Sequence, residues 1–516
     1  MAESVYVNFP KQNVSDVEKS SYEYGAKVAE AIYTEWFTQE NNANRYTNSI
    51  NNYHKLRLYA RGEQSIQKYK DELSINGDLS YLNLDWTPVP IIPKFVDIVV
   101  NGIAERTYDI KAFSIDAQGA KERTDFIEAV EGDMKMKPFD ALMQQQLGMD
   151  TRETNMEPLP ETDEELQLHM QLQYKQAIEI AEEQAIKMLL EGSNYELIKK
   201  RFFYDLTVLG IGAVKTCFNK SEGVVVDYVD PANLIYSRSN SPYFDDIYYV
   251  GEVKSIPINE LVKEFPDLEQ ADINQILEKN SKANNYRHGR NRAASRDRNI
   301  VEVLYFNYKT YNNEVYKIKT TGTGGQRAIR KTDRFNPPAD MAGDFIRESK
   351  KIEVLYEGVM VLGSNMLLHW DLAKNMLRPK SDFNKVKMNY SIVAPRMYEG
   401  RIESLVSRIT GFADMIQLTH LKLQQVMSKM VPDGVYLDAD GLAEIDLGNG
   451  TNYSPQEALN MFFQTGSIIG RSFTSEGDMN PGKVPIQEIN SSGKGAKLQS
   501  LIQTYNYYLQ MIRDVT

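Results

Sequence analysis

Apolar residues at positions 198, 202, 206 and 209 stand three or four apart, and the pattern changes directly after them. That spacing is the period of a helix. Gly210 and Gly212 follow, where a helix end takes a positive φ and lets backbone come close. Residues 213–218 and 224–229 are rich in β-branched side chains and flank a polar turn at 219–223, the pattern of a hairpin. Asp230-Pro231 then marks a second turn. The stretch 202–237 therefore predicts a helix end, a glycine turn, two strands and an exit turn. An ordinary α+β core unit would show the same pattern.

Upstream, residues 18–39 predict a helix with Tyr22, Ala26, Ala29, Tyr33 and Trp36 on one face. A second helix over 45–60 ends in Tyr59-Ala60-Arg61-Gly62-Glu63-Gln64, and Pro88, Pro90 and Pro93 break the chain before an apolar segment at 95–104. Residues 151–165 form an acidic linker, read as a solvated segment. Thr162 with Glu165, and Ser193 with Glu196, make capping boxes that bracket a helix of roughly thirty residues. A short amphipathic helix is expected at 266–280. Strands are expected at 300–309 and 314–319 around a turn near Asn312-Asn313, and at 352–362 and 366–370 across Gly363-Ser364.

The most regular pattern begins after Pro395. Ile402, Ile409, Ile416, Leu423 and Met430 recur every seven residues, with Leu405, Phe412, Thr419 and Val426 in the second seam position. Four such heptads predict a helix of roughly 50 Å, packed on neighbouring helices at a shallow angle. It stops at Pro432-Asp433-Gly434. Residues 466–495 then hold six glycines with Pro481 and Pro485, a loop long enough to suggest a function, although an ordinary surface loop has the same composition. A last helix is expected over 497–515.

At 516 residues the chain exceeds one core and predicts three or four subdomains. With 42% hydrophobic residues and no run of eighteen apolar ones, it reads as folded and without a transmembrane helix. No basic start followed by an apolar block marks a secretion signal. The single cysteine, Cys217, excludes an internal disulfide and a multi-cysteine metal site. The net charge of −12 argues against gripping nucleic acid through a broad basic surface, though not against surrounding it. Positive charge is nevertheless concentrated at Arg287, Arg290, Arg292, Arg296 and Arg298, and again at Arg327, Arg330, Lys331 and Arg334. Such clusters suit DNA phosphates or an acidic partner, and equally a solvated loop.

Recognised catalytic patterns are missing. Gly493-Lys494 runs into Gly495 without the phosphate-loop spacing, and there is neither a His-Glu-x-x-His nor a Gly-x-Ser-x-Gly sequence. His54, His169, His288, His369 and His420 lack metal-ligand spacing. Asp245-Asp246 is a candidate carboxylate pair for a metal, but adjacent acids in a turn are usually solvated. The expectation is a non-enzyme without catalytic residues, metal or cofactor.

Taken in order, several motifs resemble the portal proteins of tailed bacteriophages, most closely those of crAss-like phages. The resemblance covers about residues 45–516. It rests on Tyr59-x-x-Gly62-x-Gln64, on Pro93-Lys94-Phe95-Val96-Asp97-Ile98-Val99-Val100-Asn101, on the Gly210-x-Gly212 strand unit, and on Val229-Asp230-Pro231-Ala232-Asn233-Leu234-Ile235. Each motif is weak alone; their order carries the resemblance. It implies an α+β portal-type fold with an α/β wing at 1–250, the way into the stem and a small β-rich clip at 251–395, and a long stem helix at 396–431. The wing return, a tunnel loop at about 470–495 and the base of a helical crown would follow at 432–516. By the same resemblance the chain forms a homo-oligomeric ring, usually of twelve subunits, at one capsid vertex of the virion, assembled in the host cytoplasm. Its implied partners are the major capsid protein, the terminase large subunit, head–tail adaptor proteins and double-stranded DNA passing through. Arg471, Glu476, Asp478, Lys483 and Lys494 would approach that DNA. Ile402, Leu405, Ile409, Phe412, Ile416, Leu423 and Val426 would form the stem seam. Arg287, Arg290, Arg292, Arg296, Arg298, Arg327 and Arg330 are the expected contacts for terminase or adaptor. Two alternatives remain open: another head–tail ring protein of the virion, or a cytoplasmic metal-dependent enzyme built on carboxylates. Portals usually continue past such an end, so a C-terminal segment is expected beyond Thr516.

Overall fold

The structure, a computed structural model, describes residues 8–38, 44–74, 84–106, 108–114, 116–148, 152–154, 158–219, 223–282, 299–320, 325–336, 346–428, 434–438, 464, 468–470, 486–489 and 492–516. The chain is α+β, with sheets that are almost entirely antiparallel. Helices α1 (Asp16–Lys19), α2 (Tyr22–Phe37), α3 (Arg45–Arg61), α4 (Gln67–Leu73) and α5 (Ile92–Ala104) lead. They are followed by α6 (Ala117–Leu147), α7 (Asp163–Leu172), α8 (Ala177–Gly192) and α9 (Tyr195–Val208). Strands β1 (Gly212–Asn219), β2 (Gly223–Val229), β3 (Leu234–Tyr236) and β4 (Tyr249–Pro257) precede α10 (Ile258–Glu264) and α11 (Gln270–Lys282). Then come β5 (Ile300–Thr320), β6 (Gln326–Lys331), β7 (Ile346–Val361), β8 (Met366–Leu372), β9 (Tyr390–Val393), β10 (Met397–Tyr398) and β11 (Arg401–Ile402). The long helix α12 (Leu405–Ser428), strands β12 (Gly434–Asp438), β13 (Ile468–Gly470) and β14 (Ile486–Ile489), and the last helix α13 (Ser492–Val515) complete the order.

The unit at 202–237 folds as its pattern predicts. Helix α9 ends at Val208, and Gly210 takes φ +82° where a side chain would lie 2.7 Å from the Glu403 carbonyl oxygen. A Cβ on Gly212 would stand 2.6 Å from the Phe202 ring. Strands β1 and β2 pair from Ala213 opposite Val229 to Asn219 opposite Gly223, and β9 covers the other edge of β1. Val208, Ile211, Ala213 and Val229 enter one core with residues of α3, α5, β9 and α12, and with Ile512 of α13.

The larger sheet has the order β3-β4-β5-β7-β8, with β6 added to the far end of β5. Side chains alternate along β5 as the pleat requires. Leu304, Phe306 and Tyr308 pack beneath α2, whereas Val301 and Val303 meet α10 and α11 on the opposite face. The buried side of α2 centres on Val28 and Ile32 and keeps Ala29 and Trp36, while Tyr22 is exposed. The provisional boundary at 250 falls within β4, and β9, just before 395, pairs with β1.

Two expectations about local structure are corrected. The turn near Asn312-Asn313 does not form: β5 runs straight through, with Asn312 opposite Ile352 and Asn313 opposite Lys351 of β7. On its other edge β4 ends opposite Tyr308 and β6 begins opposite Val315, which leaves backbone groups between them without a strand partner. Buried backbone groups need partners, and α1 supplies two of them. Asp16 accepts the Asn313 N–H at 3.3 Å, and the buried Lys19 ammonium donates to the Tyr311 carbonyl. Tyr248 supplies a third by accepting the Lys309 N–H at 2.7 Å. The helix bracketed by capping boxes is in fact two, α7 and α8, broken at residues 173–176. Thr162 caps α7 as expected, but α8 starts afresh because Glu179 turns back to accept the Gln176 N–H at 3.0 Å. Ser193 does not cap α9, which starts from Asn194 at φ 50°.

Burial lowers the affinity of Lys19 for its proton, with Asp16 and Asp333 opposing that effect. Lys19→Met fills similar space but leaves the Tyr311 carbonyl without its donor. It should therefore lower stability by about 1–3 kcal/mol, read as a reduced urea midpoint at unchanged slope. An unshifted midpoint would show that α1 contributes nothing to the strand it touches.

Candidate interaction surfaces

The heptad stripe lies on α12, but the helix starts later than the pattern predicts. Residues 397–402 form a small hairpin, with Glu399 at φ 47° and Gly400 at φ 76° in its turn, so Ile402 belongs to β11 and not to the helix. Ser404 accepts the Ser407 N–H at 2.9 Å and caps the start. The 24 described residues of α12 span about 36 Å; Met430 lies outside the described residues. Ile409 and Ile416 are fully buried, flanked on the core side by Val406 and Ala413. Leu405, Phe412, Leu423 and Val426 are only half-buried. The second buried row is therefore Val406 and Ala413, one position on from Leu405 and Phe412.

Polar residues of α12 hold the early chain. Asp414 accepts from the Tyr59 and Tyr69 hydroxyls at 2.8 and 2.7 Å and pairs with Lys68. Gln417 accepts the Val89 N–H at 2.8 Å. The exit turn of the 202–237 unit is held in the same manner. Arg57 of α3 grips both oxygens of Asp230, at 2.7 and 3.1 Å, and reaches Asp205 of α9 at 3.0 Å. Burial pushes the Asp205 carboxyl up, while Tyr228 and Arg57 pull against it. Asp230 also accepts the Ala232 N–H at 2.9 Å, the bond that makes Asp230-Pro231 a turn. Its role here is to join three elements.

Asp246, half of the candidate carboxylate pair, has both oxygens engaged within its own turn. It accepts from the Ser239 hydroxyl at 2.5 Å and the Asn240 N–H at 2.8 Å. Partial burial raises its proton affinity, but these bonds outweigh it and hold the carboxyl below the usual aspartate value. Among the described residues, no group of three or more His, Cys, Asp or Glu side chains is placed to hold a metal.

Of the basic clusters, Arg287, Arg290, Arg292, Arg296 and Arg298 lie outside the described residues, as do Arg471, Glu476, Asp478 and Lys483. Lys494 falls in the first turn of α13, and its side chain is likewise outside the description. Arg327 and Arg330 sit on β6, in a three-stranded blade formed by the far ends of β5, β6 and β7. They are on opposite faces. Arg330 pairs with Glu314 at 2.8 Å, so its charge is already answered. Arg327 lies directly across from Lys319.

No model of a known protein family matches the chain, and neither does any curated protein.

A surface that the sequence reading missed lies on helices α6 to α8. Helix α8 is packed through its carboxylates: Glu179 and Glu183 are 1% and 6% exposed. Glu179 accepts from the Ser114 N–H at 2.8 Å and from Arg123 at 3.0 Å; Glu183 accepts from the Ala112 N–H at 3.1 Å and from Lys175 at 2.5 Å. Lys175 and Ala112 hold the Glu183 carboxyl below its ordinary value. The opposite face carries Ile178, Ala181, Ala185, Met188 and Gly192 at three- and four-residue spacing, and Ile178 and Met188 are 53% and 72% exposed. Leu168 and Leu172 on α7, and Met136, Phe139 and Leu142 on α6, are also exposed. The sign of the amphipathic pattern is reversed: the polar side faces the chain's own body and the apolar side faces out. The signal was present as the 178, 181, 185, 188, 192 stripe, but read alone it suggests a core face.

The double variant Ile409→Asp, Ile416→Asp places two carboxylates in fully buried apolar positions and should abolish the cooperative thermal transition followed by circular dichroism. An intact transition would show that this stripe is not core. Asp246→Ala should cost about 1 kcal/mol at neutral pH, the usual value for charged hydrogen bonds reduced by solvent exposure. Because the folded carboxyl titrates below its unfolded value of 3.8, that contribution is present above pH 3.8 and lost as pH falls through the folded value. Wild type and variant should therefore converge in stability in acid, and a gap that persists there would contradict the assignment.

Proposed function

We propose that the chain is the subunit of a phage portal ring, the channel at one capsid vertex through which a separate terminase packages DNA and through which DNA later leaves. The observation that carries this reading is the reversed helix α8, beside exposed apolar side chains on α6 and α7. A helix whose carboxylates are bound inward while Ile178 and Met188 point outward leaves apolar surface to be covered. Exposed contiguous apolar surface marks interaction sites, and lateral neighbours in a closed ring would cover it on every subunit. The order of motifs along the chain supplies the portal identity, which the arm alone does not.

In this reading residues 1–250 serve as wing, 251–395 as the way into the stem and as clip, and 396–431 as stem. Residues 432–516 return to the wing with the tunnel loop and the base of the crown. Ile409 and Ile416 fasten α12 to its own subunit's core, which suits a strut standing beside a channel. The ring would join the major capsid protein, dock the terminase and later the head–tail adaptors, and it performs no catalysis of its own.

Negative-stain imaging and light scattering of the purified chain should give rings with a central opening. Monodisperse monomers would overturn the reading, and closed rings without a channel would favour another head–tail ring component. Ile178→Lys with Met188→Lys alters exposed positions, so the variant should keep its helical signal while losing rings. Rings unaffected by that pair would remove the observation on which the reading stands.

A further inference from the structure

The small sheet β2-β1-β9 and the larger sheet face each other, and much of what lies between them is polar. At one end Val250 of the larger sheet joins Ala213, Val229 and Ile392 of the small one in a single apolar core. Inner faces of packed sheets ordinarily continue in this way, side chain against side chain. Here they do not. Directly paired residues share a face, and the register leads from Val250 to Asn307, Glu357 and Asp371. The next row leads from Glu252 to Tyr305, Val359 and His369. The small sheet answers with Lys215 between Asp227 and Tyr390, and then with Cys217. A cleft of about 540 Å³ lies here, with Lys215, Cys217, Tyr305, Asn307, Glu357 and Asn389 in its walls. An adjoining cleft shares Lys215, Cys217, Glu264 and Tyr305 with it.

Three polar atoms in and beside these walls have no hydrogen-bond partner in the protein: Asn307 Nδ2, Asn389 Oδ1 and the Tyr390 hydroxyl. Their residues are 6%, 5% and 4% exposed. Burying polar groups unpaired is costly, and positions that only had to fill space would be apolar. Glu357, next to Asn307 in the register, makes no side-chain hydrogen bond or ion pair among the described residues, and its other neighbour, Asp371, has the same sign. The remaining charges are answered within the walls. Glu252 pairs with Lys254 at 3.4 Å, Glu264 accepts from the Tyr305 hydroxyl at 2.6 Å, and Asp227 accepts from the Cys217 thiol at 3.5 Å. The Lys215 ammonium stands 5.1 Å from the centre of the Tyr390 ring, with Asp227 directly across. Together the two clefts are lined by five carboxylates and two ammonium groups, so the field between the sheets is negative. Burial strengthens the hold of the Tyr390 hydroxyl on its proton, and the carboxylates of Glu252 and Glu357 add to it.

We propose that this cleft binds a small organic amine of the polyamine class, with one ammonium seated on Glu357. An ammonium has three N–H donors and no acceptor. Glu357, Asn389 Oδ1 and the Tyr390 hydroxyl are acceptors that lack a donor, and Asn307 offers its carbonyl end by a half-turn of its terminal torsion. A phosphate or other anion would meet Lys215 but face the carboxylates, and an apolar ligand would leave the amides unpaired. Among the described residues no three His, Cys, Asp or Glu side chains are grouped to hold a metal, which favours an organic cation. Phe218, Phe265 and Tyr305 also line the cleft, and aromatic faces suit both methylene chains and ammonium groups. The exposed carboxylates of Glu264 and Asp267 are there for a second ammonium. The cleft lies within one subunit, so amine binding goes beyond the portal reading and does not depend on it.

Isothermal titration calorimetry of the full chain with spermidine, across a salt series, tests this. A chain of net charge −12 also gathers polycations loosely at its surface, so Glu164→Gln, an exposed position on α7, serves as control and should bind as the wild type does. Glu357→Gln keeps the shape and should weaken binding about tenfold, the scale of one charge-assisted hydrogen bond. Asn307→Leu removes an unpaired amide, so the free chain should melt no lower than the wild type while spermidine binds less well. Lys215→Met removes a repelling charge and should tighten binding. Circular dichroism of each variant separates loss of binding from loss of fold. Absence of binding would leave the cleft to solvent and overturn the proposal, as would equal binding by Glu357→Gln. Weaker binding by Lys215→Met would show that an anionic group is recognised, and displacement of spermidine by equimolar Mg²⁺ would point to a metal ion; either result overturns the amine. Rings that bind no spermidine would sink this inference alone, whereas binding by a chain that stays monomeric would sink the portal reading alone.

Discussion

The pairing of β5 with β7 is the constraint on which the rest of the larger sheet depends. It runs from Val303 opposite Val361 to Ile318 opposite Ile346, and so passes from the middle of the core to the tip of the blade. In the core its register is held by aromatic packing. Tyr356 and Trp370 stack at 5.0 Å with their planes 8° apart, and Phe306 and Tyr308 lie within 6.4 Å of the same indole. Trp370 in turn donates to the Lys19 carbonyl at 2.9 Å, and Trp36 donates to the Tyr249 hydroxyl at 2.9 Å. A slip of one residue would turn Asn307 and Lys309 under α2 in place of Phe306 and Tyr308, since the side-chain period is two. The core therefore sets a register that the exposed blade could not hold by itself.

The arm and the blade show two uses of buried polar contacts. On α8 the carboxylates of Glu179 and Glu183 are satisfied by backbone N–H groups and by cations, which makes an inward polar face tolerable and leaves the apolar face for others. At α1 the buried Lys19 and the half-buried Asp16 do the reverse: they fill a gap in a strand edge so that β5 can continue past the end of its neighbour. In both cases the decisive bonds join side chains to backbone that is distant in sequence. Arg57, gripping Asp205 and Asp230 across three elements, also spans distant parts of the chain, there from side chain to side chain.

That distance explains what could be read from the sequence. The 202–237 unit was legible because its signals are local: Gly210 needs its positive φ, Gly212 its close approach to Phe202, and the hairpin its turn residues. The end of α3 was legible for the same reason, whereas the start of the Ile402 stripe was legible only in part, because the Glu399-Gly400 turn removed Ile402 from the helix. Asn312-Asn313 misled because the groups that hold the strand there, Asp16 on Asn313 and Lys19 on Tyr311, lie about three hundred residues away along the chain. The reversed burial of α8 was hidden because a heptad stripe shows which residues share a side but not which side faces home. For Arg327 and Arg330, composition placed both in one cluster, and only the register separated them.

The stretch of β5 between β4 and β6, which has a strand partner on one edge, has a further meaning for how such a chain changes over time. It is the joint between a region whose faces are chosen by packing and a region whose faces are chosen only by counting residues from there. One residue inserted into both β5 and β7 at this joint, opposite one another, would leave the aromatic core untouched. It would exchange the two sides of the blade beyond with no substitution at all. At this place it is spacing, more than the identity of any lysine or arginine, that holds the pattern.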